Sequence, residues 1–427
     1  MSLQVCLEQQ FQPYITGGQH ELISRQLENC ALCSAAVSKS CFCWNQNKSS
    51  RQINWRNIPM NNNANLKAPR IVSVFSGCGG LDLGFHLEGY ETIWANDFSE
   101  WACASFRKNF GDVIVEGDIT KIDPYTDTTI PGCDLVLGGF PCQDFSIIWK
   151  QPGLEGKRGG LYRHFLEFVD AKKPAAFVAE NVKGLLTANK GKAIETIIQD
   201  FQDIAPGYVI LPHLYNFADY GVPQFRERVL IVGIRIDTGF DFRHPLPTHG
   251  EGRSNPYITA GEALKGALEV KYNNEHINSA EKTRKMLDLI PAGGNFTDIP
   301  KDHELYVKGM ISHVYRRINP DEPSKTIIAA GGGGTWGYHF PEPRALTNRE
   351  RARLQSFPDD FEFAGNITEV RRQIGNAVPP DGVRETAKRL MPLFSGNYDK
   401  IDLQALFDKL SKMSVKERLE FVNLQMQ

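Results

Sequence analysis

A cysteine and a glutamate follow two consecutive apolar runs of the chain. Cys142 lies just beyond the run 134–140, and Glu180 lies near the end of the next run, 175–181. A cysteine thiol becomes highly nucleophilic once it is deprotonated, and a carboxyl group can act as the accompanying acid. If the two runs are neighbouring parallel strands, about 4.8 Å apart, both groups face one pocket and suit addition across a conjugated, protonatable ring. The neighbours that we expect to contact the same substrate are Pro141, Gln143, Asn181 and Val182.

A glycine-rich turn, 76–80, follows the first apolar run of this region, 71–75. A turn of this kind between a first strand and a first helix lets a ligand approach the backbone and the helix N-terminus. The spacing departs from the dinucleotide fingerprint G-x-G-x-x-G, because Asp82 occupies the position of the third glycine. We expect its carboxylate to repel a pyrophosphate but not a ligand that carries an amino group or a sulfonium.

Acidic residues end the second and third apolar runs. Asp97 stands where doubly wound folds commonly place the acid that binds a ribose, and Phe98 beside it could stack on an adenine. Asp118 and Ile119 occupy the equivalent end of the third run. Together these residues predict S-adenosylmethionine as the cofactor rather than a dinucleotide. The predicted cofactor residues in and around the glycine turn are Phe75, Ser76, Gly77, Cys78, Gly79, Gly80 and Leu81.

Further along, Gln224, Arg226 and Arg228 alternate in sequence. On a strand, alternate side chains point to one face, so the three groups could together hold a phosphate and a base oxygen. A solvated strand face with ion pairs to Glu227 and its neighbours is the alternative that the motif leaves open.

The elements that must position these residues belong to an α/β fold. Short apolar runs separated by helix-length segments between 70 and 239 predict a doubly wound, mostly parallel sheet, with 209–217 and 228–236 as an antiparallel pair. Residues 240–343 lose the alternation and predict a smaller second domain, after which 344–395 return to the first. Thr347 and Glu350 have capping-box spacing at the start of a helix. We expect residues 1–69 to be a poorly ordered extension and 396–427 to form further helices.

The composition excludes several classes of protein. The chain has 427 residues with 48 basic and 50 acidic side chains, so a nucleic acid must bind to a local basic face. No apolar run is long enough to span a bilayer and no export signal is visible, so we expect a cytoplasmic protein without a membrane partner. The nine cysteines are expected as free thiols, metal ligands or catalytic groups rather than as disulfides. The N-terminal cysteines do not have zinc-knuckle spacing, and no metal is predicted; they are Cys30, Cys33, Cys41 and Cys43.

In their order along residues 70–390, these blocks resemble the DNA (cytosine-5)-methyltransferase family. The resemblance is carried by FSGCGGLDLGF at 75–85, Pro-Cys-Gln at 141–143, Glu-Asn-Val at 180–182, Gln-x-Arg-x-Arg at 224–228, RALTNRERARLQSFPDDF at 344–361 and QIGNAVPP at 373–380. It implies the fold of S-adenosylmethionine-dependent methyltransferases. The compact layout resembles the bacterial enzymes of restriction-modification systems.

The resemblance also implies an activity. Cys142 would add to carbon 6 of a flipped-out cytosine while Glu180 contacts its ring nitrogen 3 and amino group, and carbon 5 would then take the methyl group of S-adenosylmethionine. Asn376 and Val378 would line the cofactor pocket, and Arg226 and Arg228 would help to hold the base. The target-recognition domain, 240–343, would read double-stranded DNA. Arg316, Arg317 and the glycine run 331–334 are the candidates for base or phosphate contacts there.

The partners expected from the resemblance are double-stranded DNA, bound by a monomer, and a cognate restriction endonuclease that need not touch the chain. An RNA cytosine-5 methyltransferase is an alternative, although the Cys-Phe-Thr signature expected after its nucleophile is absent. An inactive DNA-binding homologue is a second alternative, against which the presence of Cys142, Glu180 and Asp97 argues. A nicotinamide dehydrogenase is disfavoured by Asp82.

Overall fold

The computed structural model of the chain describes residues 67–141, 160–276, 278–306, 308–309, 314–329 and 337–426. Cys142, Gln143, the glycine run 331–334 and the N-terminal residues 1–66 lie outside these ranges. Their expected roles stay predictions.

The strands are β1 (Arg70–Val74), β2 (Glu91–Asp97), β3 (Ile114–Glu116), β4 (Leu135–Gly138), β5 (Ala176–Val182), β6 (Tyr208–Asn216) and β7 (Glu227–Arg235). They form one sheet in the order β3-β2-β1-β4-β5-β7-β6. The first five strands pair in parallel, whereas β7 is antiparallel to both β5 and β6. The predicted doubly wound, mostly parallel sheet with an antiparallel pair is confirmed.

The helices within the described ranges are α1 (Gly80–His86), α2 (Glu100–Phe110), α3 (Tyr162–Lys172), α4 (Lys192–Gln202), α5 (Ala260–Leu264), α6 (Glu281–Asp288), α7 (Asn348–Leu354), α8 (Ile367–Asn376), α9 (Pro380–Ser395), α10 (Leu403–Ser411) and α11 (Val415–Gln425). None of these helices combines the length and the apolar content that a membrane crossing requires. The capping box predicted for α7 is present, with Thr347 Oγ1 accepting from the Glu350 N–H and the Glu350 carboxylate accepting from the Thr347 N–H.

Apolar side chains cover the sheet on both faces. Leu135 and Leu137 of β4 contact the core formed with α1, α9, α10 and α11, whereas Val136 between them contacts the core formed with α3 and α4. Because successive side chains of a strand point to opposite faces, a strand covered on both sides needs a continuous apolar run. This is why the central strands appear in the sequence as short, uninterrupted apolar segments.

The C-terminal helices α10 and α11 pack against the edge strand β6. Arg418 of α11 is buried and donates from Nη1 to the carbonyl oxygen of Ile210, 3.0 Å away, and from Nη2 to Gln202 Oε1, 3.2 Å away. An edge strand otherwise presents unpaired backbone groups, so this arginine gives one of them a partner. The helices expected at 396–427 therefore cover the edge of the sheet.

A separate apolar cluster stabilises the region between β7 and α7. Its buried members are Met286, Leu287, Ile290, Phe296, Ile299 and Tyr338. Phe240 and Phe242, by contrast, pack into the core of the sheet. The segment that leaves the sheet therefore begins a few residues after 240.

Candidate active site

The glycine turn after β1 is shaped for close approach. Gly79 has a φ of 91°, and a Cβ on it would lie 2.4 Å from a ring carbon of Phe110. A Cβ on Gly80 would lie 2.3 Å from the carbonyl oxygen of Val378. Only glycine fits at either position. The turn is thus held between α2 and the segment that follows α8, and Val378 lies against the glycine turn. Its contact with a cofactor stays a prediction.

Asp97, the last residue of β2, fixes the glycine turn by a hydrogen bond. One carboxylate oxygen accepts from the Gly77 N–H at 2.8 Å and the other from the Ser99 N–H at 2.9 Å. Burial raises the pKa of Asp97, and the hydrogen bonds oppose that shift. Each oxygen keeps a second lone pair, so the carboxylate can also accept from a ribose hydroxyl. The direct link between Gly77 and Asp97 was not foreseen from the sequence.

An apolar ring stands beside this carboxylate. The side chain of Phe98 is 78% exposed, which is unusual for phenylalanine and leaves its face free for stacking.

Asn96 donates to the carbonyl oxygens of Val115 and Gly117, which places the start of the Asp118 turn next to the end of β2. Hydrogen bonds from Thr120 lower the pKa of the exposed Asp118, so it carries its charge, whereas Ile119 is buried.

Two residues of the turn differ from the expectation. Asp82 does not face a ligand: it is fully buried and accepts from Ser73 Oγ at 3.1 Å and Thr92 Oγ1 at 3.0 Å. Burial raises its pKa to about 6. Asp82 therefore does not line the pocket, and its carboxylate is not placed to repel a pyrophosphate there. The Cys78 thiol is also buried, with its pKa raised to about 12 by burial, so only its backbone can contact a cofactor.

Glu180 lies on β5 beside the end of β4, and the predicted pairing of these two strands is confirmed. Its Oε1 lies 2.9 Å from Arg228 Nε, and both side chains are largely buried. Burial raises the pKa of Glu180, whereas Arg228 and, less strongly, Arg226 lower it. A Cβ on Gly139 would lie 3.2 Å from Glu180 Oε2. The chain that leaves β4 toward Cys142 therefore passes directly over the carboxylate.

Asn181 holds the two strand ends together rather than facing a substrate. It is 2% exposed, its Nδ2 donates to the carbonyl oxygen of Phe140 at 2.9 Å, and its Oδ1 accepts from the Val182 N–H. The expected substrate contact of Asn181 is thus replaced by an internal one. Val182 and Pro141 are exposed at the same edge of the sheet, where a substrate could touch them.

The structure also corrects the expectation that Gln224, Arg226 and Arg228 share one strand face. Strand β7 begins at Glu227, so the first two residues precede it. Gln224 is fully buried and bonds to the Leu354 carbonyl and the Ile327 N–H. Arg226 is 1% exposed and donates to backbone carbonyls. Of the three, only Arg228 pairs with Glu180. The alternation of these residues in the sequence therefore did not indicate that they share a strand face.

Arg316 and Arg317 have opposite surroundings. Arg317 is buried and donates to the carbonyl oxygens of Leu287, Ile290, His339 and Phe340, so it belongs to the core of its region and is neither a base nor a phosphate contact. Arg316 is half-buried and lines a groove together with Lys325 and Thr326. Asn376, at the end of α8, is exposed.

The sheet order, the glycine turn and the acid at the end of β2 define the class of S-adenosylmethionine-dependent methyltransferase folds. Within it, the chain belongs to the family described as C-5 cytosine-specific DNA methylase, whose model matches residues 69–391.

The chain is similar to two type II methyltransferases. It is 69% identical over 365 residues to M.NgoFVII from Neisseria gonorrhoeae, covering 83% of this chain and 97% of that one. It is 43% identical over 368 residues to M.BbvI from Brevibacillus brevis, covering 81% and 97%. An Escherichia coli prophage protein, described as a DNA modification methyltransferase, matches with a TM-score of 0.59 at 21% identity, covering 77% of this chain and 100% of that one, which shows the fold alone.

Proposed function

We propose that this chain transfers a methyl group from S-adenosylmethionine to carbon 5 of cytosine in double-stranded DNA, as the modification enzyme of a type II restriction system. Family membership and the names of its relatives support the reaction. The observation that carries it in the structure is the Glu180–Arg228 pair, which lies beneath the chain that leads to Cys142.

The residues around the glycine turn fit the cofactor. S-adenosylmethionine supplies an electrophilic methyl group on a sulfonium when it is bound. The backbone of 76–80 lies against Val378, Asp97 keeps acceptor capacity for a ribose, and the exposed face of Phe98 is available to an adenine. These features sit at the carboxyl ends of β1 and β2, the edge where parallel sheets bind ligands.

In this proposal Cys142 is the nucleophile and Glu180 is the acid. The thiolate of Cys142 forms a bond to carbon 6, and the displaced electron pair reaches ring nitrogen 3, which takes a proton from Glu180. Carbon 5 is then electron-rich enough to accept the methyl group. A base removes the carbon 5 proton, the electron pair re-forms the ring double bond as the thiolate leaves, and ring nitrogen 3 returns its proton to Glu180. The products are 5-methylcytosine and S-adenosylhomocysteine.

The contacts of Glu180 support the role of proton donor. Because Arg228 binds Oε1, Oε2 remains available on the side of Gly139. Burial raises the pKa of Glu180 and so favours the protonated carboxyl, whereas Arg228 and Arg226 oppose that shift. The target cytosine must leave the stacked duplex to reach this pair, at a cost of a few kcal/mol.

We assign recognition of the DNA sequence to residues 240–343. Within this segment, Arg316 is the arginine that lines the protein groove with Lys325 and Thr326. The protein would act as a monomer on DNA in the bacterial cytoplasm. A cognate endonuclease would share its recognition sequence without a required contact.

The test is expression of the chain in a host that lacks cytosine methylation, followed by sequencing of 5-methylcytosine at single-base resolution in both DNA and RNA. We expect methylation confined to one short duplex sequence, and none with Cys142→Ser. Methylation of RNA alone would support the RNA enzyme instead, and absence of methylation from both would contradict the proposal.

A further inference from the structure

Arg226 joins three segments that are far apart in the sequence. It lies one residue before β7, and its guanidinium is 1% exposed. Nη1 donates to the carbonyl oxygen of Ile327 at 3.0 Å, and Nη2 donates to those of Gly375 at 2.8 Å and Ala377 at 3.0 Å. Both Nη atoms therefore bond to backbone carbonyls rather than to a ligand, whereas the buried Nε has no hydrogen-bond partner among the described residues.

One of the joined segments, 373–378, is attached to the cofactor loop. The Val378 carbonyl oxygen lies where a Cβ of Gly80 would be, and the Cys78 thiol lies 4.0 Å from the Gln373 carbonyl oxygen. The glycine turn and this segment are therefore in direct contact.

The other joined segment, 323–329, belongs to the region assigned to target recognition. Gln224 Oε1 accepts from the Ile327 N–H at 2.8 Å, and the Phe225 N–H donates to the Ser324 carbonyl oxygen at 2.8 Å. The two segments also touch each other, because a Cβ on Gly375 would lie 2.1 Å from the backbone nitrogen of Ala329. The backbones of the two segments are therefore in close contact.

We propose that Arg226 is a positioning residue that couples cofactor binding to recognition of the target DNA, an inference that rests on the proposed function. A buried guanidinium needs acceptors for its N–H groups, and the Nε of Arg226 already lacks one, so displacement of either segment alone would leave a further donor unpaired. Binding at the cofactor loop therefore biases the segment 323–329 toward one arrangement. Coupling of this kind is reciprocal: the cofactor tightens DNA binding by the factor by which DNA tightens cofactor binding.

The test compares the affinity for cognate duplex DNA with and without S-adenosylhomocysteine. The unmodified enzyme should show tighter DNA binding with the cofactor product, in the range of about 5- to 150-fold that is typical of such coupling. In Arg226→Lys the charge is kept but one ammonium cannot span the three carbonyls, so the factor should fall toward one.

Arg418→Lys is the matched control. Arg418 is also a buried arginine that donates to backbone carbonyls, those of Ile210 and Leu410, but it packs α11 against β6. Both variants should lose stability, and only Arg226→Lys should lose the coupling. A purely structural role for Arg226 predicts that both variants keep the coupling factor, and that result would overturn the proposal.

A measurement on the unmodified enzyme covers the case in which Arg226→Lys does not fold. S-adenosylhomocysteine alone should slow amide hydrogen exchange in 323–329 as well as in 373–378. Protection confined to the glycine turn, or no effect of the product on DNA affinity, would overturn the role of Arg226. Failure of the unmodified enzyme to methylate duplex cytosine would instead contradict the proposed function.

Discussion

The side-chain amide of Asn181 donates a 2.9 Å hydrogen bond to the carbonyl oxygen of Phe140. Asn181 follows the proposed acid Glu180, and Phe140 stands two residues before the proposed nucleophile Cys142 in the sequence. A single buried bond therefore fixes the backbone at Phe140 relative to the end of β5. The ends of β4 and β5 are linked directly at this point, so the bond can act on the proposed chemistry without touching a substrate.

Asn181→Ala should slow methyl transfer without changing cofactor binding. The variant leaves the Phe140 carbonyl without its partner, at a cost of about 1–3 kcal/mol, and allows the backbone at Phe140, two residues before Cys142, to shift. Misplacement of a reacting group by about 1 Å can cost roughly 100-fold in rate. Single-turnover kinetics and calorimetry with S-adenosylhomocysteine separate the two effects.

Asn255→Ala is the control for that variant, because Asn255 is an exposed asparagine that also donates to one carbonyl oxygen, that of Thr248. It should keep the wild-type rate. A wild-type rate in Asn181→Ala would show that the bond does not position the nucleophile.

Cys142→Ser should abolish methyl transfer and leave cofactor binding intact, because a serine hydroxyl is a far weaker nucleophile at neutral pH than a cysteine thiolate. Duplex DNA with 5-fluorocytosine should trap the unmodified enzyme covalently, since fluorine cannot leave as a proton does. Denaturing electrophoresis with labelled DNA detects the adduct. Turnover by the serine variant, or a trapped adduct at another residue, would refute the assignment of Cys142.

Asp97→Ala should weaken S-adenosylmethionine binding by about 1–3 kcal/mol, because it removes an acceptor for the ribose and releases the Gly77 N–H. Titration calorimetry measures the affinity. Asp123→Ala is the control: Asp123 is exposed and accepts from the Tyr125 N–H in a neighbouring turn, so its loss should leave the affinity unchanged. Equal affinities for the Asp97 variant and the wild type would move the ribose contact elsewhere.

Asp82 should make stability depend on pH. Burial raises its pKa from 3.8 to about 6, so the folded state holds the proton more tightly than the unfolded chain. The penalty for a buried charge is absent below pH 3.8 and complete above pH 6, and stability therefore falls as the pH rises through this window. At 1.36 kcal/mol per pKa unit, the shift corresponds to about 3 kcal/mol.

Asp82→Asn removes this titration while an amide can still bond to the Ser73 and Thr92 hydroxyls. The free energy of unfolding of the variant, relative to that of the wild type, should rise between pH 4 and pH 7. Urea unfolding at both pH values measures this difference. The same difference between the two proteins at both pH values would show that Asp82 does not titrate in this range.

The sheet could be predicted from the sequence because each of its central strands is marked by a local run of apolar residues. Strands covered on both faces are apolar runs, and polar residues of the candidate site stand at or near their carboxyl ends, as Asp97 on β2 and Glu180 on β5 show. The surroundings of single polar groups could not be predicted. Arg226 meets carbonyls more than 100 residues away in the sequence, and nothing nearby distinguishes it from Arg228. Asp82 likewise looked like part of the pocket, because burial beneath a turn leaves no periodic pattern.

The neighbouring arginines 316 and 317 offer the sharpest test of target recognition. Arg317→Ala should lower stability, since each carbonyl left without a donor costs about 1–3 kcal/mol, and should leave the preferred sequence unchanged. Arg316→Ala should keep the stability closer to wild type and alter DNA binding. If Arg316 reads a base, selectivity should relax at one position; if it holds a phosphate, affinity should fall for all sequences and the salt dependence should flatten.

A graft tests the whole segment rather than one side chain. Residues 245–343 from a relative with a different target should carry that target into the chimera, because the cluster around Met286 and the carbonyls that Arg317 binds travel together, whereas Phe240 and Phe242 stay with the sheet. Methylation should continue through Cys142 at the new sequence. Mapping of 5-methylcytosine across a genome reports the outcome. A chimera that methylates the original sequence would place recognition outside the grafted segment, in the first 69 residues or after residue 381.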